Sequence, residues 1–139
     1  MIYRRRIPVE FNHCDAAGIV FYPRYFEMIN SMIENFFGHV LGYGFARIHV
    51  EERCALPTAQ IEVRFLSPTR LGEVLDFALE VEHVGRSSAR FVQRASVGGQ
   101  AKLQCVSTLV WVGRDGRPAS WPQEIRSKMV EFKEKSDDA

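Results

Sequence analysis

Long apolar runs, a net charge of either sign and paired cysteines are all missing from this sequence, and each absence narrows what the chain can do. No apolar stretch approaches the ~20 residues that a membrane-spanning helix needs. The three arginines of the opening MIYRRRIPVEF are not followed by a stretch long enough for a secretory signal. The formal net charge is +1, so no global field draws nucleic acid or an anionic membrane surface. The three cysteines, Cys14, Cys54 and Cys105, are odd in number and far apart, which argues against a disulfide framework and makes a reducing cytoplasm the expected location. The histidines and cysteines share no C-x-x-C or H-E-x-x-H spacing, so no metal or other cofactor is expected.

What is present is ordinary globular material. The 139 residues are 46% hydrophobic, 12% aromatic and 25% charged, enough for one domain with a real core over 1–139 and too few for two. The polar end, 136–139, is expected to be a loose tail. There is no internal repeat and no low-complexity segment.

The pattern of apolar residues sets the order of elements. Residues 2–11 read as a strand with Ile7, Val9 and Phe11 on one face, and Pro8 hints at a sheet edge. From Tyr22 the period changes. Tyr22, Tyr25, Phe26, Ile29, Met32, Ile33, Phe36 and Phe37 recur at three- and four-residue steps, the stripe of a mostly buried helix. Pro23 suits its first turn and Gly38 its stop. A short helix over 45–51 is plausible. Four strands follow, over 58–66, 73–84, 88–97 and 101–112, with Gly98-Gly99 as a hairpin dipeptide. Ile125, Met129 and Phe132 then predict a C-terminal helix over 122–135. One curved antiparallel sheet wrapped around one apolar helix satisfies this order, so the fold class is α+β. Its free edges and incompletely covered face predict association, as a homodimer or homotetramer.

The stretch HCDAAGIVFYPRYF, residues 13–26, carries the chemistry. Asp15 is a lone carboxylate followed by the uncharged residues 16–23 and then by the buried helix. The first N–H groups of a helix lack intrahelical partners, and with the helix dipole behind them they can polarise a carbonyl or hold an oxyanion. Pro23 cannot donate, so the Tyr22 N–H is the natural donor. A sharp turn at Gly18 would bring Asp15 toward it with a carbonyl between. A carboxylate facing an oxyanion donor is a workable acyl-transfer site, with Asp15 attacking directly or activating a water. Such a site favours a thioester, whose thiolate leaves without a proton. The plainer alternative is that Asp15 only closes an Asx-turn or caps the helix.

The run from Phe11 to Tyr25, FNHCDAAGIVFYPRY, resembles the signature of the hot-dog-fold acyl-CoA thioesterases of the 4-hydroxybenzoyl-CoA thioesterase type. The Gly85-Arg86-Ser87-Ser88 turn and the strand at Phe91-Val92-Gln93-Arg94 are similar as well, and the element order agrees over nearly the whole chain. The resemblance implies a hot-dog fold, hydrolysis of an acyl-CoA with no cofactor beyond the CoA of the substrate, Asp15 as nucleophile or general base, and the Tyr22 N–H as the polarising group. Phe11, Cys14, Tyr22 and Pro23 are more similar to the branch acting on aromatic acyl groups. Asn30 stands where a 4-hydroxybenzoyl-specific member would carry an acid for the phenol. The expected acyl group is therefore aromatic or otherwise bulky.

Other residues are assigned on chemistry. His13 and Gly18 flank the acid and are candidates for ligand contact, with Asn30 on the helix. Arg86, Ser87, Ser88 and Arg90, at a hairpin end, are candidates for the CoA phosphates; Arg114 and Arg117 are weaker ones. Cys14 reads as a packed thiol, Glu34 as a rim residue, Trp111 and Trp121 as packing, and Arg4, Arg5 and Arg6 as exposed charge on an edge strand. The alternatives are a short-chain aliphatic acyl-CoA or acyl-carrier thioesterase, a dehydratase or hydratase, and a non-catalytic acyl-thioester-binding module. A dehydratase would want an acid–histidine pair, and the central helix carries none in position.

Overall fold

The alternation of apolar residues in the second half of the chain produces the sheet, and the three-four stripe beginning at Tyr22 produces the helix that the sheet encloses. The structure, a computed structural model, describes residues 1–137. Strand β1 (Tyr3–Pro8) is followed by a single 3-10 turn (Phe11–His13), then by helix α1 (Tyr22–His39). A short π-helical turn (Ala46–Glu51) leads to β2 (Thr58–Phe65), β3 (Val74–Val84), β4 (Ser88–Val97) and β5 (Gln100–Val110), and helix α2 (Gln123–Asp137) closes the order. The five strands form one antiparallel sheet in the order β1-β3-β4-β5-β2, so β1 and β2 are its edges.

Each strand turns alternate side chains inward. Leu75, Phe77, Leu79 and Val81 of β3, Ala89, Phe91 and Ala95 of β4, and Leu103, Cys105 and Leu109 of β5 are buried. They meet Tyr25, Met28, Ile29, Met32, Ile33, Phe36 and Phe37 of α1. Helix α2 adds Ile125, Met129 and Phe132 to the same core. A polar tie runs through this core, where the buried Gln93 amide donates to the Ile29 carbonyl at 3.2 Å.

The sheet is unevenly covered. Along β2 no residue is buried, and Ile61 and Phe65 on its inward side stay exposed. This edge strand and the flank of α1 facing it leave a groove open.

Some expectations fail for local reasons. Phe11 does not continue the first strand, because the chain turns at Phe11–His13, and its ring is 82% exposed. Gly38 does not stop α1, which runs through it to His39; the left-handed exit falls at Gly42, at φ 63°. Arg5 is not outward-facing like Arg4 and Arg6. It pairs with Phe77 in the inward register, and its guanidinium donates to Ser31 Oγ at 3.0 Å. Of the expected loose tail, Ser136 and Asp137 belong to α2, and residues 138–139 lie outside the described residues.

Candidate functional site

The loop between the 3-10 turn and α1 is a small hairpin. The Phe21 N–H donates to the His13 carbonyl at 2.9 Å, Cys14 pairs with Val20, and the Asp15 N–H donates to the Ile19 carbonyl at 3.0 Å. The reversal at 16–18 needs a left-handed residue, and Gly18 supplies it at φ 75°. Asp15 is exposed, and its Oδ1 accepts the Ala17 N–H at 2.9 Å, an Asx-turn that leaves Oδ2 open. The hairpin register places Asp15 opposite Ile19, about 10 Å of chain from the helix start at ~3.3 Å per residue.

At the helix start the donors are spent unevenly. The Phe21 N–H is used by His13 and the Arg24 N–H by the Phe21 carbonyl at 2.9 Å, while Pro23 has none. Among the described residues, no hydrogen-bond acceptor meets the Tyr22 N–H. It is the remaining donor of the first turn of an 18-residue helix, next to an open surface.

That surface is apolar. A groove of about 300 Å³ is walled by Ile19 and Val20 of the loop, Tyr22 and Tyr25 of α1, and Phe65 to Pro68 at the end of β2. Phe65 is its aromatic hub, with ring centroids 5.9 Å from Tyr22, 5.8 Å from Tyr25 and 6.5 Å from Phe26. Tyr25 is nearly buried, and its hydroxyl donates to Thr69 Oγ1 at 2.9 Å. Burial raises its pKa, and the Thr69 interactions oppose that rise. A second hollow of about 290 Å³ lies two turns along α1, where Asn30, Ile33 and Glu34 face Phe45, Leu56, Thr58 and Leu109. The two hollows lie toward opposite ends of β2, one at Phe65 and the other at Thr58.

The sequence-derived candidates are therefore split. Asp15, Tyr22, His13 and Gly18 fall within one hairpin and helix start. His13 is half-buried with its Nδ1 accepting the Glu10 N–H at 2.9 Å, so it caps the 3-10 turn. Cys14 is half-buried too, its thiol directed at the Glu10 carbonyl. Asn30 and Glu34 are exposed and line the second hollow.

Arg86, Ser87, Ser88 and Arg90 are not near Asp15 in the same chain. Ser88 pairs with Val110 at one end of β5 and Phe65 with Leu103 at the other, about 23 Å apart at ~3.3 Å per residue. The basic turn is pinned there. Arg86 Nε donates to Ser120 Oγ at 2.9 Å, the Trp111 N–H to the Ser87 carbonyl at 2.7 Å and Trp121 Nε1 to the Ser88 carbonyl at 3.0 Å. Arg90 lies 3.7 Å from Glu82, in a hollow that Glu62 also lines. Trp111 and Trp121 are buried, as packing residues. The sequence reading missed Thr69, a buried hydroxyl with no motif around it. The Ser67-Pro68 turn just before it was the available signal.

The comparisons with known proteins bear on the fold and the family. Residues 9–129 match the model of the thioesterase-like superfamily. A 1,4-dihydroxy-2-naphthoyl-CoA thioesterase from Synechocystis superposes with a TM-score of 0.86 at 16% identity, covering 95% of this chain and 98% of that one. A thioesterase from Thermus thermophilus, solved with coenzyme A and zinc, gives 0.80 at 24% identity over 94% and 93%. A Staphylococcus aureus protein solved in complex with CoA gives 0.88 at 12% identity over 96% and 85%. These likenesses establish the hot-dog fold, a curved five-stranded antiparallel sheet around a long helix. With a family match spanning the hairpin, the central helix and strands β2 to β5, the chain belongs to the thioesterase-like superfamily.

Proposed function

We propose that this protein hydrolyses an acyl-CoA thioester to a carboxylate and free CoA, with an aromatic or bulky acyl group held in the crevice between α1 and β2. The observation that carries the reading is the unpartnered Tyr22 N–H beside an apolar, aromatic-lined groove, on the same hairpin as the exposed carboxylate of Asp15. The thioester carbonyl accepts from the Tyr22 N–H, whose donor strength the helix dipole augments. Asp15 either attacks the carbonyl carbon, forming a mixed anhydride that water then hydrolyses, or takes a proton from the water that attacks; in both routes the C–S bond breaks and the thiolate of CoA leaves. The Asx-turn at Ala17 holds the carboxylate by one oxygen and leaves the other for this task. The proposed course uses only groups of the chain itself. His13 and Gly18 hold the acid's hairpin in shape, and Asn30 and Glu34 meet the distal end of the acyl group.

The active unit is read as a dimer formed by the exposed edge β2. A sheet edge whose inward residues Ile61 and Phe65 are uncovered is a template for a second strand. Antiparallel pairing of two β2 strands sets the second copy's basic turn at the end of the sheet where this copy holds Tyr22. The lateral offset is then about 15 Å, three strand spacings of ~4.8 Å. Arg86, Ser87, Ser88 and Arg90 of that copy would meet the CoA phosphates there, which one chain alone does not allow.

The test is release of free thiol from benzoyl-, hydroxybenzoyl-, phenylacetyl- and short and medium aliphatic acyl-CoAs. Turnover favouring the aromatic members supports the reading. Preference for short aliphatic members would move the substrate class. A silent panel with saturable CoA binding would make this a binding module.

A further inference from the structure

We propose that Tyr25 and Thr69 form a positioning pair that sets the spacing between the Asp15 hairpin and the N-terminus of α1. The proposal rests on the roles given above to Asp15 and Tyr22, and adds two residues that act through those groups.

Thr69 is a fixed point. The segment carrying it is fastened to the sheet three times. The Leu66 N–H donates to the Lys102 carbonyl at 2.9 Å, Ser67 Oγ to the Ala101 carbonyl at 2.9 Å, and Lys102 Nζ to the Pro68 carbonyl at 2.8 Å. Lys102 is itself buried, so this last bond is shielded and costly to break. Thr69 is fully buried at the end of that segment.

Both halves of the site are tied to it. The Thr69 carbonyl accepts the Val20 N–H at 2.9 Å, Ile19 pairs with Arg70, and the Leu71 N–H donates to the Gly18 carbonyl at 3.0 Å. Those bonds hold the returning arm of the Asp15 hairpin. The Thr69 hydroxyl holds the helix, accepting from Tyr25 one turn beyond Tyr22. The apolar contacts of Tyr25 with Phe65 are non-directional and would allow α1 to slide or rotate slightly. A buried hydroxyl pair at 2.9 Å would not. One residue thus references the carboxylate-bearing loop through its backbone and the oxyanion donor through its side chain. The walls of the groove are the three segments that the pair joins.

A misplacement of about 1 Å between reacting groups lowers turnover by up to roughly 100-fold. Tyr25→Phe and Thr69→Val keep ring and volume while deleting the bond. Each is expected to lower kcat on the best acyl-CoA by about 10-fold or more, with KM changed less than about two-fold, full CoA-binding stoichiometry and a folded protein whose Tm falls only as far as one unpaired buried hydroxyl requires. Thr69→Ser, which keeps the hydroxyl, retains near-native kcat. The Tyr25→Phe/Thr69→Val double variant is no slower than either single, because both remove one interaction. Hydrogen exchange at the Val20 and Leu71 amides accelerates in Tyr25→Phe, while exchange at Met32 in mid-helix does not. Native kcat in a folded Tyr25→Phe protein, equal losses in Thr69→Ser and Thr69→Val, additive losses in the double variant, or unchanged Val20 exchange would each overturn the proposal. If Thr69→Val does not fold, Tyr25→Phe alone decides. A wild-type protein that turns over no acyl-CoA defeats the functional reading and the positioning role with it. Exchange at Val20 then still separates that failure from a clamp that never held.

Discussion

Replacing Phe36 by alanine should be the most damaging single truncation on the central helix, and the reason is its place among four rings. Phe36 is fully buried, with centroids 5.9 Å from Tyr3 of β1, 6.0 Å from Phe37, 5.9 Å from Phe91 of β4 and 5.1 Å from Phe132 of α2. It is where α1, the sheet and α2 meet. Removing a buried phenyl ring costs about 3–5 kcal/mol through lost transfer and the cavity left behind. Tilted and edge-on pairs of this kind are worth about 0.5–1.5 kcal/mol each beyond their area, which places Phe36→Ala at the upper end, near 5 kcal/mol. A fold of ordinary stability has about 5–15 kcal/mol in all, so the loss is a third of it or more. Phe36→Leu keeps most of the volume and should cost about 1.5 kcal/mol. Urea unfolding followed by circular dichroism measures both, with Phe11→Ala as the control. Phe11 is 82% exposed, and its truncation should change stability by less than about 0.5 kcal/mol. A Phe36→Ala loss below about 1 kcal/mol, or one matched by Phe11→Ala, would refute the account of the core.

Three further outcomes follow from single residues. Burial, with the hydrogen bond to Glu52, pushes the Tyr43 pKa up to about 12. A raised phenol pKa stabilises the fold while the group stays protonated, so that contribution is complete below about pH 10 and lost between about pH 10 and 12; alkaline unfolding of Tyr43→Phe should lack this step. Burial also pushes Cys105 up to about 11, so in the native protein Cys105 should be alkylated last, after the half-buried Cys14 and Cys54. If the β2-edge dimer proposed above forms, Phe65→Glu on the inward side of that edge should reduce it to monomers in sedimentation, and a dimer that survives the substitution would move the interface away from β2.

Much of the fold is legible because it depends on short-range periodicity. The stripe from Tyr25 to Phe37 and the alternation from Leu75 to Val81 fix which faces are buried, although Tyr22 at the start of the stripe is exposed and Phe26 half-buried, and Gly98-Gly99 marks the hairpin where it occurs. The misreadings come where one local rule meets a stronger neighbour. Gly38 is a good helix stop in isolation, yet α1 is held through it by the buried Phe36 and Phe37. Phe11 fits the strand period, but the chain must turn there to reach the Asp15 hairpin. Arg5 looked like edge charge because nothing in its own segment announces Ser31 beneath it.

The site divides the same way. Asp15, Gly18 and Tyr22 form one contiguous motif, so sequence spacing was enough to put them on a single loop and helix start, while the hairpin pairing of that loop is visible only in the fold. Thr69 is 44 residues from Tyr25, and only the folded chain brings the two hydroxyls together. Arg86 and Arg90 carried the right chemistry for phosphate, but charge gives no position. The register places them at the other end of β5, where one of them already faces Glu82.

The central claim is that Asp15 drives the hydrolysis of a thioester polarised by the Tyr22 N–H. The most direct measurement is kcat of Asp15→Asn and Asp15→Ala against wild type, on the acyl-CoA that wild type turns over fastest. Asparagine keeps an oxygen for the Ala17 N–H and so preserves the turn, which separates chemistry from folding. A fall of about 10²- to 10⁴-fold in both variants, with CoA still bound, is the predicted result. Turnover by Asp15→Asn at the wild-type rate would contradict the account and leave Asp15 as a turn residue only.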